Sequence, residues 1–236
     1  MIPPLPSHSD RVKELLAQIE VDRNAMLKLG MNVLGAAGSS MFPLDLMALG
    51  AVKRSISTTR AFHLMIESWN MVCARSLLRI HIDTSLRFSA AWLVDKPHEF
   101  STQVLKGERI DKMKDKDGKR LSDAHLVEVR THEYPWLPSV YRNLSGYVHF
   151  SGAHISDSVA KIEAGDNTIS FEVTEFDLKF PEFSWVEVLE CFREATAILT
   201  KFLEGYALTK QLSPAELETA RRAENLSIQP TAGGRG

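Results

Sequence analysis

The stretch from Ser55 to Val94 holds neither proline nor glycine, and it constrains the fold more than any other part of the chain. Leu64, Trp69, Leu77, Leu78, Ile82, Leu86 and Trp92 supply an apolar face along it, and Pro97 closes it. Apolar residues recurring every three or four positions define a helix with one side turned to a core. The stretch is longer than an ordinary globular helix, so a break or kink is expected within it. A chain built around such an element folds as packed helices.

Other segments extend this plan. A first helix starts at the Ser9/Asp10 cap and runs through Leu15, Leu16, Ile19 and Met26 to about Leu29, with Gly30 as its stop. Met31 to Val52 reads as a loop and a helix start beside the core. Short helices follow the Ser122 cap and the Pro135/Pro138 pair, the second ending near Gly152. The last long helix, 182–208, carries Trp185, Leu189, Phe192, Thr196, Leu199, Leu203 and Tyr206 at the 4-3 spacing of a bundle seam. After Leu212 a short helix is expected, with Ser213 as cap, Pro214 in its first turn and Glu216 three residues after the cap.

Two segments break the helical period. Over 158–178, Ile169, Phe171 and Val173 alternate with Ser170, Glu172 and Thr174 around a Gly165-Asp166-Asn167 turn, which predicts a β-hairpin. An isolated hairpin is marginal in water, so its apolar face is expected to lie against the helices. Over 106–123 twelve of the eighteen residues are charged, with Gly118 as a turn, which predicts a solvated, mobile loop without apolar anchors. Its Asp115-Lys116-Asp117-Gly118 run fails as a calcium loop, because counting back from Gly118 puts Met113 and Ala124 at the first and last ligand positions. The expected plan is a single mainly α domain over 1–226, a helical bundle with a hairpin insertion, followed by a disordered tail over 227–236.

Composition narrows the function. A net charge of -2 gives no global attraction to nucleic acid or anionic membrane, so any such contact needs a local patch. Cys73 and Cys191 stand far apart, without the spacing of a disulfide framework or a zinc site. His125 and His132 lack a third ligand, and glycine loops for phosphate are absent, so neither a metal nor a cofactor is expected. Met1 to Pro6 has no signal-peptide character, and no apolar run is suited to a membrane. A cytoplasmic protein is the expectation.

The segment Tyr141-Arg142-Asn143-Leu144-Ser145-Gly146-Tyr147-Val148-His149 carries the chemistry. Residues seven apart differ by only about 20° around a helix, so Arg142 and His149 share a side with Ser145 and Gly146 between them. Leu137, Val140, Tyr141, Leu144 and Val148 take the opposite side. Solvated faces usually carry Lys and Glu. Small residues between a cation and an imidazole instead leave room for a partner helix or a phosphate.

Arg, six residues, then His, with a polar Asn directly after the Arg, resembles the R-x4-6-H motif of the HEPN superfamily. The resemblance implies a compact helical bundle that dimerises and, in ribonuclease members, cleaves RNA without metal where the motifs of two protomers meet. It implies that Arg142 holds and polarises the scissile phosphate, that His149 is the general acid or base, and that Asn143 supports them. The hairpin between the motif helix and the last long helix departs from the family's usual pattern.

Arg75, Arg79, Asp83 and Arg87 recur every four residues. The plainer reading is an ion-pair ladder; the sharper one sets this stripe against the motif, with Asp83 orienting a side chain and Arg79 adding charge. Ser145 and His149 could pair as nucleophile and base, but no nucleophile elbow or oxyanion hole accompanies them. The sequence reading is a cytoplasmic HEPN-like homodimer acting as a metal-independent endoribonuclease of the toxin or antiviral-defence kind. Its catalytic residues are Arg142 and His149, supported by Asn143, Ser145, Arg79 and Asp83, with RNA as substrate and a neutralising or regulatory protein as a further partner. The alternatives are a catalytically inactive HEPN-like module that binds RNA, nucleotide or protein, and a structural helical protein.

Overall fold

The long unbroken stretch turns at Trp69. In the computed structural model, which describes residues 5–35, 40–163 and 168–212 with 215, 216 and 219, α2 (Pro43–Glu67) ends there and α3 (Met71–Ser89) begins. Trp69 takes a positive φ of 57°, strained for a bulky residue, and the neighbours over-determine it. His8 stacks on its ring at 3.8 Å, its Nε1 donates to Pro6 O at 3.0 Å, and its own carbonyl accepts from Asp177 N at 2.7 Å. Asp177 Oδ2 also accepts from Met71 N and Val72 N, at 2.7 and 3.2 Å, two donors that the first turn of α3 would otherwise leave bare.

The protein is mainly helical with a small two-stranded antiparallel sheet. The helix α1 (Asp10–Leu34) starts at its Ser9 cap as expected, and α8 (Glu182–Thr209) buries the whole predicted seam. Together with α2 and α3 they form the core bundle, in the cyclic order α1, α2, α3, α8. Gly30 does not stop α1. It lies inside the helix, where a Cβ would come within 3.1 Å of Val52 Cγ1, so its role is to let α1 and α2 cross closely.

Helix direction follows from the side chains at the ends. His8, Trp69 and Trp185 meet at one end; Val33, Asp45, Tyr206 and Lys210 meet at the other. The helix α8 therefore runs parallel to α1, and the crossover after α3 must carry the chain back to the Trp69 end. Within the core His81, Phe192 and Phe62 stack, at 4.2 and 4.1 Å between centroids. Burial, with Arg54 nearby, pushes the His81 imidazole down to about 3, and its Nε2 bonds Thr196 Oγ1 at 2.9 Å. It is a neutral core ring.

The crossover carries α4 (Pro97–Leu105), α5 (Asp123–Arg130), α6 (Leu137–Val148), α7 (Gly152–Ser158), β1 (Val159–Glu163) and β2 (Thr168–Phe171). Two expectations fail here. The segment from Lys106 to Asp123 is anchored: Leu121 is fully buried, Ile110 and Met113 pack on the core, and Lys116 N bonds Leu93 O at 2.8 Å. Conversely, the apolar face of the hairpin stands in solvent, with Ile162, Ile169, Phe171 and Val173 all exposed. The strands are tied to α7 through Glu172 N to Ser158 O, while α6 already occupies the adjoining surface of α3. The predicted 165–167 turn, the helix cap at Ser213 and Pro214, and the 227–236 tail lie outside the described residues.

Among the described residues no helix is long and apolar enough to cross a membrane.

Candidate functional site

Helix α6 starts after Trp136 with Pro138 in its first turn, where a missing N–H costs nothing. Leu137, Tyr141 and Leu144 bury one side of it against α3, which leaves Arg142 and Asn143 exposed on the other. The helix ends at Val148, short of the expected Gly152. His149 is its C-cap, with extended backbone at φ -113° and ψ 142°. The strip from Arg142 to His149 therefore spans the outer side of α6 and leaves it at the last residue. Neither side chain makes a hydrogen bond or ion pair with a described residue.

The small residues between them are used within the chain. Ser145 Oγ donates to Tyr141 O at 2.9 Å, a bond inside its own helix. Gly146 faces the start of α7: a Cβ there would sit 3.0 Å from Ser151 Oγ and 3.6 Å from Ala153 Cβ. Ser151 Oγ donates to Gly146 O at 2.9 Å and accepts from Ala153 N at 3.2 Å, capping α7 while taking one of the free carbonyls of α6. The space expected for a partner or phosphate at Gly146 is filled by the α6–α7 turn. Ser76 Oγ secures a second terminal carbonyl, Tyr147 O, at 2.7 Å.

The arginine stripe of α3 meets the inner side of α6. Arg79 lies 3.5 Å from the Tyr141 ring centre and pairs with Asp123 at 3.4 Å and Asp83 at 3.8 Å. Arg87 binds Asp83 at 3.0 Å and also Asp123. The ladder thus reaches across to α5. Among the described residues no hydrogen bond or ion pair joins Arg79 or Asp83 to Arg142 or His149. Burial raises the Tyr141 hydroxyl well above its ordinary value, against the opposing pull of Arg79.

One feature escaped the sequence reading. A cleft of about 360 Å³ opens between α3, α6 and α8, and Arg75, Asn143, Tyr147, Ser184, Glu187 and Cys191 reach it. Arg75 donates to the Tyr147 hydroxyl and lies over its ring at 4.8 Å. Burial, with Glu187, Glu190 and Glu194 nearby, pushes the Cys191 thiol up to about 11, so it is no thiolate nucleophile at neutral pH. Arg75 was legible as part of the stripe, but Glu187 joins it only through the parallel docking of α8. Among the described residues no group of three or more His, Cys, Asp or Glu is placed to hold a metal ion. The chain matches no family model, no curated protein and no solved structure.

Proposed function

We propose that the chain is a HEPN-like, metal-independent endoribonuclease of the toxin or defence kind, working as a homodimer, with Arg142 and His149 as its catalytic pair. One observation carries the reading. Arg142 stands exposed on α6 and His149 exposed at its C-cap, neither side chain bonded to a described residue, while the arginines of the neighbouring α3 are engaged with Asp83, Asp123 and Tyr147. Attack of a 2'-hydroxyl on the adjacent phosphate needs a proton shuttle near neutrality, the work of an imidazole. It also needs a fixed planar cation against the charge growing on phosphorus, the work of a guanidinium. Phe150, 85 % exposed directly after His149, gives a second copy an apolar contact beside the pair.

Purified protein and its His149→Ala variant, incubated with total RNA in EDTA, test the reading. Wild type should cleave and leave 2',3'-cyclic phosphate ends, while the variant should lose about 10²–10⁴-fold in rate and still bind RNA. Arg142→Lys keeps the charge but not the planar fork, so RNA binding should persist in part while cleavage falls. Cleavage by both wild type and His149→Ala, or by neither, rejects the nuclease. The second reading, a silent HEPN-like module that holds RNA or a nucleotide without cutting it, is favoured by the cleft beside Asn143.

A further inference from the structure

The cleft between α3, α6 and α8 has the size and chemistry of a site for one flat ring. Its volume of about 360 Å³ falls at the low end for small-ligand sites, too small for a length of chain. Leu78, Val140, Leu144 and Val188 give it apolar walls. Tyr147 adds an aromatic one, and the Arg75 bond to its hydroxyl fixes the ring, as a stacking platform requires.

Asn143 and Glu187 are the amide and the carboxylate that line the cleft. The Asn143 amide and the Glu187 carboxylate make no hydrogen bond or ion pair with a described residue. An amide both donates and accepts, whereas a carboxylate only accepts, so an occupant bonded to Glu187 presents it with N–H or O–H donors. Arg75 and Glu187 carry opposite charges, which removes any net attraction for phosphate and favours a neutral heterocycle. Among the common bases, guanine sets two adjacent donors, N1–H and the 2-amino group, beside an acceptor, O6. We infer that the cleft binds a guanine base: Glu187 accepts from N1–H and the 2-amino group, Asn143 donates to O6, and the ring lies on Tyr147.

The inference rests on RNA or a nucleotide being the ligand of the α6 site, and it adds the base next to the phosphate held by Arg142. Asn143 directly follows Arg142 in the chain, so base and phosphate would be read by neighbouring residues.

Calorimetric titration of the full chain with GMP, AMP, CMP, UMP and IMP tests it. GMP should bind most tightly. IMP lacks only the 2-amino group and should bind about tenfold or more weakly, the scale of one lost hydrogen bond to a charged group. Glu187→Gln should lose a similar factor for GMP with an unchanged melting temperature, since the side chain is exposed, and Asn143→Ala should lose less. His149→Ala should bind GMP as wild type does. Equal affinity for the five nucleotides, absence of binding, or GMP binding indifferent to Glu187→Gln overturns the guanine site. RNA cleavage without guanine dependence rejects the site and leaves the nuclease; GMP binding through Glu187 without cleavage does the reverse.

Discussion

Two segments outside the bundle, 106–123 and the β1–β2 hairpin, have compositions that suggest opposite fates from the ones they meet. The first is dense in charge, yet its few apolar residues and one carboxylate are placed to hold it. Leu121 fills the core, and Asp115 Oδ1 accepts from Asp117 N and Lys119 N at 3.0 and 2.8 Å around the positive-φ Gly118. Asp115 Oδ2 then bonds His125 Nε2 at 2.7 Å, which fastens the turn to α5. The hairpin carries an apolar ladder pair, Ile162 opposite Ile169, but among the described residues it is tied only to the seven-residue α7 and to Lys179, whose Nζ donates to Val159 O at 3.3 Å. Average composition says how much a segment could bury. Whether it is buried depends on what surface stands next to it.

That contrast can be broken most forcefully at Leu121. Leu121→Ala should cost about 2–5 kcal/mol, the range for emptying a packed leucine site. Phe171→Ser on the hairpin should stay within about 0.5 kcal/mol, as for surface changes generally, and should raise solubility by removing part of an exposed patch. Urea denaturation of both variants measures the difference. Equal losses would mean that the hairpin face is covered in solution.

Asp115→Ala should come next, at about 1–3 kcal/mol, because it leaves two turn N–H groups and His125 without their acceptor. The pH dependence sharpens the point. Burial raises the Asp115 carboxyl, but the bonds from His125, Lys119 and Asp117 more than offset this and leave it below the usual carboxylate range. A carboxyl depressed in the folded state binds fewer protons there than in the unfolded chain. Its contribution is therefore present above the unfolded value of about 3.9 and is lost as pH falls through the folded one. Melting temperatures from pH 6 down to 2 should show a steeper acid limb for wild type than for Asp115→Ala; parallel limbs would remove Asp115 from the account.

The smallest effect belongs to the exposed ladder pair. Ile169→Thr keeps a β-branched residue in the strand and should shift stability by no more than a few tenths of a kcal/mol. Amide exchange in β1 should remain fast in both proteins, since a two-stranded ladder without a covered face opens readily.

Much of the bundle was legible residue by residue. The Ser9 and Ser122 caps and the α8 seam rest on local chemistry that a neighbour does not change, whereas the break expected inside the Ser55–Val94 stretch falls at Trp69 because His8, Pro6 and Asp177 hold it there. Gly30 was misread because a stop and a close crossing need the same missing Cβ, and only Val52 tells them apart. In the candidate site, the outward position of Arg142 followed from helical periodicity. The Gly146 contact with Ser151 did not, because it depends on the chain reversing at His149.

The sequence by itself determined the helical class, the starts of α1, α5, α6 and α8 and which side of α6 faces water, because capping and amphipathic spacing act within a few residues. Tertiary structure alone decided the rest. It set α8 parallel to α3, which brings Glu187 to the Asn143 cleft, and it fixed Arg79 on Tyr141 rather than beside His149. It also buried Leu121 and left Phe171 in water. These outcomes are contacts between residues far apart in the chain, and such contacts are chosen by the shape of the surfaces that meet, which no local pattern encodes.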